Sequence, residues 1–138
     1  PFTIRFVLFG SEELGLMGSR SYIESLNPED LHKIIAMLNC DTVGSGDIVG
    51  VEGDSSLVEN ILEYGDEVGI IAERRFPIEG YTSDHATFQR AGIPVAFFAT
   101  DDISRIHTQQ DKLEFVQDEL MGQSASLAIG LLDSLVTP

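Results

Sequence analysis

The sequence predicts an α/β fold, a sheet with helices packed on it, and three observations predict it. Short apolar runs bounded by turn signals alternate with segments of helical period. Those runs are near-continuous in apolar residues, as strands are when both faces of a sheet are covered. The 138 residues are 43% hydrophobic and 22% charged, a globular composition at a length that suits one small domain.

The elements follow in order. Residues 2–9, Phe-Thr-Ile-Arg-Phe-Val-Leu-Phe, are β-rich with partial alternation and predict a mostly buried strand. Gly10-Ser11-Glu12-Glu13 breaks that pattern. Residues 14–26 then take helical spacing, with Leu14, Met17, Tyr22 and Leu26 near one face. Asn27-Pro28-Glu29-Asp30 is a turn and a helix start. Residues 32–39 predict a second apolar strand that ends at Cys40-Asp41, 43–47 a loop, and 48–51 a short strand. Asp54 or Ser55 is positioned to cap a helix running to about Val68, with Leu57, Ile61, Leu62 and Tyr64 or Val68 inward. Residues 70–78 are ambiguous, with a strand as one reading. Residues 80–84 form a loop, Asp84 caps a short helix to Ala91, and Gly92 ends it. Residues 94–99 predict a buried strand and 101–111 a polar loop holding His107. Between 116 and 136, Val116, Leu120, Leu127, Leu131 and Leu135 recur at spacings of four and seven.

Charge and composition narrow the function. Eight lysines and arginines stand against 23 acids, a net charge of −15. That opposes binding to a phosphate backbone or an anionic membrane surface. Apolar runs fall far short of the ~18 residues of a membrane span. A single cysteine, Cys40, excludes an internal disulfide framework and a cysteine-based zinc cage. Ser11 lies outside any Gly-x-Ser-x-Gly, and neither a phosphate loop, a dinucleotide fingerprint nor His-Glu-x-x-His is present.

Three polar clusters fall where predicted strands end: Glu12-Glu13, Asp41, and His107 beyond the 94–99 strand. In open α/β sheets that is where sites form. Each cluster has two readings. Adjacent carboxylates repel, and a divalent cation relieves the repulsion, leaving one ligand and one proton acceptor; the alternative is a helix start that favours acids. Asp41 is a strand-end ligand or a turn former. His107 lies in a polar loop, free to be a ligand or a base; His32 reads as a surface residue and His85 as part of a pocket wall.

Taken together the chain resembles the C-terminal half of an M28-family zinc aminopeptidase. The resemblance rests on Ile4-Arg5-Phe6-Val7-Leu8-Phe9-Gly10-Ser11-Glu12-Glu13-Leu14-Gly15-Leu16-Met17-Gly18-Ser19, Leu38-Asn39-Cys40-Asp41-Thr42-Val43-Gly44, Ser83-Asp84-His85 with Phe88, Gly92-Ile93-Pro94, and Ile106-His107-Thr108 with Asp111. It implies a three-layer αβα sandwich with a mixed, mostly parallel sheet, of zinc-exopeptidase type and incomplete on its N-terminal side. Residues 1–138 would be one partial domain, the C-terminal part of a catalytic domain. It implies two Zn2+ ions per complete domain, Glu13 and His107 as ligands of one and Asp41 of the other. Glu12 would be the general base, passing a proton from the attacking water to the leaving amine. Tyr81 would stabilise an oxyanion, Asp111 would orient His107 or its loop, and Ser83, Asp84 and His85 would line or support the site. The partner implied is a peptide substrate, with no nucleic acid and no membrane, and the location extracellular or in the cell envelope. The alternative is a noncatalytic binding module on the same scaffold.

One departure stands out. The family's other zinc-binding His and its bridging Asp lie in a His-x-Asp motif ahead of the first matching strand, and none of His32, His85 or His107 starts one. The expectation is a half-built metal centre, and an exposed sheet edge that associates with itself or with a missing N-terminal segment. Zinc titration of this chain by calorimetry is expected to show weak binding at best; two tight sites would overturn that expectation.

Overall fold

A computed structural model describes residues 2–75 and 81–137. Its elements are α1 (Met17–Ser25), α2 (Pro28–His32), β1 (Met37–Cys40), β2 (Val49–Gly53), α3 (Ser55–Val68), β3 (Ala72–Arg74), α4 (His85–Arg90), β4 (Val95–Thr100) and α5 (Asp118–Val136), with a 3-10 turn at Leu113–Phe115. The four strands form one mixed sheet in the order β1-β4-β2-β3. β1 runs parallel to β4, and β2 parallel to β3, while β2 and β4 are antiparallel.

Helices cover both faces. On one, Val49 and Val51 of β2 and Ala96 and Phe98 of β4 pack against Leu57, Val58 and Ile61 of α3 and Leu120, Leu127 and Leu131 of α5. On the other, Val95 packs with Phe88 of α4 and Ile93, joined by Tyr22 and Ile23 of α1 and by Phe9. Phe9 lies edge-on to Tyr22 at 5.8 Å, and Tyr22 stacks on Phe88 at 5.9 Å. The three-layer α/β class read from the sequence is the one found.

Several local expectations are corrected. Residues 2–9 form no strand, and Phe6 and Leu8 are 91% and 101% exposed. Their composition favours extended backbone, but a strand exists only through a ladder, and among the described residues β1 pairs with β4 alone. The strand expected over 32–39 is shorter. Asn27 caps α2, its Oδ1 accepting from the Asp30 amide at 2.9 Å, and the helix consumes Pro28–His32 before β1 begins at Met37. In α1 the inward face is Ser19, Tyr22 and Ile23, preceded by buried Leu16; Leu14 and Met17 point out. Val68 and Val116 are exposed, and α5 starts at Asp118. Of the ambiguous 70–78 stretch, Ala72–Arg74 is strand, and 76–78 lie outside the described residues.

Neither Asp54 nor Asp84 caps its helix through its side chain. Asp54 does something else. Its Oδ2 accepts from the Val95 amide at 2.9 Å while its own amide donates to the Val95 carbonyl at 2.9 Å, fixing the start of β4 against the start of α3. Asp54→Ala is expected to lower stability by about 1–3 kcal/mol, because the Val95 N–H loses its acceptor. Chemical denaturation checks this, and an unchanged midpoint would show that water replaces the carboxylate at no cost.

Candidate metal centre and cleft

The carboxylate pair sits on a turn that the sequence builds from small and left-handed residues. Ser11 (φ 59), Gly15 (φ 92) and Leu16 (φ 61) reverse the chain, closed by Leu16 N–H to the Glu12 carbonyl at 2.8 Å and Met17 N–H to the Ser11 carbonyl at 3.2 Å. Gly18 lets α1 pass close to the incoming segment: a Cβ there would stand 2.9 Å from the Gly10 nitrogen and nearer still to its carbonyl oxygen. Ser19 is fully buried, and its hydroxyl lies 3.1 Å from that of Thr87, joining α1 to α4. Glu12 and Glu13 are thereby held in the wall of a cleft.

Asp41 follows β1, and its amide donates to the Phe98 carbonyl at 3.1 Å. Its Oδ2 accepts from the Ser83 hydroxyl at 2.7 Å, and that hydroxyl accepts from Asn39 Nδ2 at 2.8 Å. Thr42 (φ 56) turns the chain away, its carbonyl accepting from both the amide and the hydroxyl of buried Thr100. His107 (φ 61) approaches from the loop after β4, and its Nε2 lies 2.5 Å from Glu13 Oε1.

These residues line one cleft of about 1300 Å3, together with Tyr81, Ser83, Asp84 and Asp111. Burial is the largest cause pushing the Glu12 carboxyl above its ordinary pKa; the negative charges of Glu13, Asp41 and Asp84 add to it, and His107 opposes it. Asp84 is buried, and its Oδ1 has no hydrogen-bond partner among the described residues. Apolar side chains, among them Ile103, Ile106, Phe115 and Met121, line the same cleft.

Not every expected site residue is placed as the sequence suggested. His85 is 6% exposed and stacked on Phe97 at 4.4 Å; it lines a smaller cavity of about 430 Å3 rather than the main cleft. Tyr81 is largely exposed at the cleft rim. Asp111 makes no side-chain hydrogen bond to His107 among the described residues; its amide donates to the Thr108 carbonyl at 3.2 Å. The His107 loop is organised by Asp102, which accepts from the Ser104 amide at 2.9 Å and from Arg105 Nη1 at 2.8 Å, and Arg105 lies over the Phe115 ring. Asp102-x-x-Arg105 is a local ion-pair spacing, and that was the available signal.

The profile of peptidase family M28 matches residues 1–132. The chain belongs to peptidase family M28. Aminopeptidase YwaD of Bacillus subtilis is 30% identical over 138 residues, covering 90% of this M28 chain and 30% of the relative. Leupeptin-inactivating enzyme 1 of Streptomyces exfoliatus is 35% identical over 113 residues, covering 79% of this chain and 25% of that one. The M28 segment therefore spans about a quarter to a third of the length of these relatives. Among solved structures, BSAP, a zinc aminopeptidase from Bacillus subtilis, superposes with a TM-score of 0.80 at 26% identity, over 92% of this chain and 34% of that one. LapA aminopeptidase of Legionella pneumophila shares the fold, with a TM-score of 0.82 at 24% identity over 94% of this chain and 38% of its own.

Does the donor set of this M28 chain fit a divalent cation? Glu13 and His107 present a carboxylate oxygen and an imidazole nitrogen to each other, the ligand types zinc takes, and the buried Asp84 oxygen adds uncompensated negative potential. The donors fit. Among the described residues, no three His, Cys, Asp or Glu side chains are close enough to hold a metal by themselves.

One carboxylate beside the cleft yields a pH prediction. Asp101 Oδ1 accepts from the amides of Asp47 at 2.8 Å and Ile48 at 3.0 Å, and those backbone hydrogen bonds, Ile48's first, hold its pKa below the ordinary value. A depressed carboxyl stabilises the fold above its unfolded pKa, about 4, and loses that contribution as pH falls through the folded value. Asp101→Asn is therefore expected to flatten the acid limb of stability against pH, followed by thermal melts; an unaltered limb would overturn the assignment.

Proposed function

We propose that this chain is part of the catalytic domain of a zinc-dependent aminopeptidase that hydrolyses N-terminal peptide bonds. The observation that carries the reading is the convergence of Glu12, Glu13, Asp41 and His107 on one cleft in a chain of family M28. Glu13 and His107 would hold one zinc ion, and Asp41, oriented by Ser83, would contribute to a second. When bound, zinc supplies Lewis-acid polarisation of the scissile carbonyl and eases deprotonation of water.

The remaining chemistry falls to the chain's own groups. Glu12 takes a proton from the attacking water and returns it to the leaving amine nitrogen, so the C–N bond breaks as the amine is protonated. Its raised pKa suits both transfers. Tyr81, at the rim, would donate to the oxygen that gains charge. The carboxylates lining the cleft attract the substrate's terminal ammonium.

An extracellular or cell-envelope location belongs to the same proposal; no helix among the described residues is long and apolar enough to cross a membrane. The outward apolar residues Phe2, Ile4, Phe6 and Leu8 support contact with further polypeptide, either a second copy or a segment preceding Pro1. A second reading, a noncatalytic binding module, draws on the lack of a three-donor group among the described residues.

In a protein carrying the complete domain, Glu12→Gln is expected to cut turnover by roughly 10²–10⁴ while leaving zinc content intact. Loss of zinc instead would exchange the roles of Glu12 and Glu13. A wild-type protein that holds zinc and cleaves no aminoacyl substrate would favour the module.

A further inference from the structure

A second cavity of about 430 Å3 adjoins the cleft, and Glu52, Arg75, Tyr81 and Thr82 line both. Arg74, Arg75 and Arg90 line the smaller space, three of only eight lysines and arginines in a chain of net charge −15. Arg74 lies 3.6 Å from Glu59. Among the described residues, Arg75 and Arg90 form no ion pair. Among the described residues the one carboxylate lining the cavity, Glu52, stands 3.6 Å from His85 Nε2. Burial raises the Glu52 pKa, with Arg75 opposing, and burial lowers that of His85, so burial disfavours the charged form of each.

The fold builds Arg75 into this position. Its amide donates to the Val51 carbonyl at 2.7 Å, and its Nη1 reaches the Thr100 carbonyl at 3.2 Å. Between those points the side chain crosses β2 at Gly50, where any Cβ would collide with Arg75 Cδ. A glycine inside a strand weakens it, and this one marks the close approach of another chain segment. The arginine is thus anchored from β3 across β2 to β4.

We propose that this arginine annex binds a substrate carboxylate on the leaving-group side of the scissile bond, a reading that rests on the aminopeptidase function above. A peptide entering amino end first carries an ammonium, which the carboxylates of Glu12, Glu13, Asp41 and Asp84 lining the cleft receive. Its downstream carboxylate then meets guanidinium donors suited to it. The carboxylate is either the C-terminus of a short peptide or an acidic side chain just beyond the cleaved bond.

The test measures kcat/KM, in a protein carrying the complete domain, for Leu-Gly-Gly, Leu-Gly-Gly amide, Leu-Glu-Gly amide and Leu-4-nitroanilide. The free acid, the glutamyl peptide or both are expected to exceed the neutral amide about tenfold, the scale of a charge-assisted hydrogen bond. Preference for the free acid identifies the C-terminus, and preference for the glutamyl peptide identifies the side chain. Arg90→Gln is expected to pull these ratios toward one, and so is Gly50→Ala, which displaces Arg75 without changing charge. Arg90 is exposed, so its variant decides the matter if Gly50→Ala fails to fold. Equal rates on acid and amide overturn the annex. Cleavage of none of the four, the nitroanilide included, overturns the aminopeptidase reading instead; calorimetric binding of the same peptides then decides the annex, equal affinities counting against it.

Discussion

Strand β4 is hydrogen-bonded along both edges, parallel to β1 on one side and antiparallel to β2 on the other. Its start is clamped by Asp54 and its end by the Thr42 carbonyl, which takes both the amide and the hydroxyl of Thr100. A strand held this way has no freedom to slip, because a one-residue shift would turn Ala96 and Phe98 out of one core and Val95 out of the other. The Phe98 carbonyl sets the backbone of Asp41, and the loop after Thr100 carries His107. The geometry of the cleft is inherited from the register of this one strand.

Against that rigid frame the cleft gathers like charges. Burial first, and then the charges of Glu13, Asp41 and Asp84, disfavour the charged form of Glu12. Such crowding destabilises a fold unless a cation or a substrate ammonium offsets it. Ser83, itself accepting from Asn39, donates to Asp41, and His107 lies against Glu13 and also favours the charged form of Glu12. The repulsion that remains is a standing attraction for positive charge.

Much of this was legible in the sequence, for identifiable reasons. The run 94–99 and the periodic 55–68 and 118–136 segments carry their burial in their own pattern, and they appear as β4, α3 and α5. Glu12, Glu13 and Asp41 follow apolar runs and His107 lies in the polar loop beyond one, which is how the sequence offers them as candidates. What failed was pairing and direction. Residues 2–9 have the composition of a strand, but composition names no partner. Leu14 and Met17 sat on the apparent inner face because the left-handed turn at Leu16 was invisible in the periodicity. Asp54 looked like a helix cap because its acceptor role toward Val95 links residues 41 positions apart. The arginine annex was unreadable for the same reason: Gly50 and Arg75 are meaningless until β2 and β3 lie side by side.

Four non-glycine residues among those described have positive φ: Ser11, Leu16, Thr42 and His107. Ser11 and Leu16 bracket the acidic pair, Thr42 adjoins Asp41, and the fourth is the imidazole-bearing residue itself. Side chains in that region cost about 1–3 kcal/mol each, so the strain is concentrated around the cleft while the helices and strands carry none of it. Glycine at Ser11 or Thr42 would relax the backbone, giving a sturdier protein whose carboxylates wander. The tension kept in these loops is what makes a crowded, self-repelling set of side chains hold still.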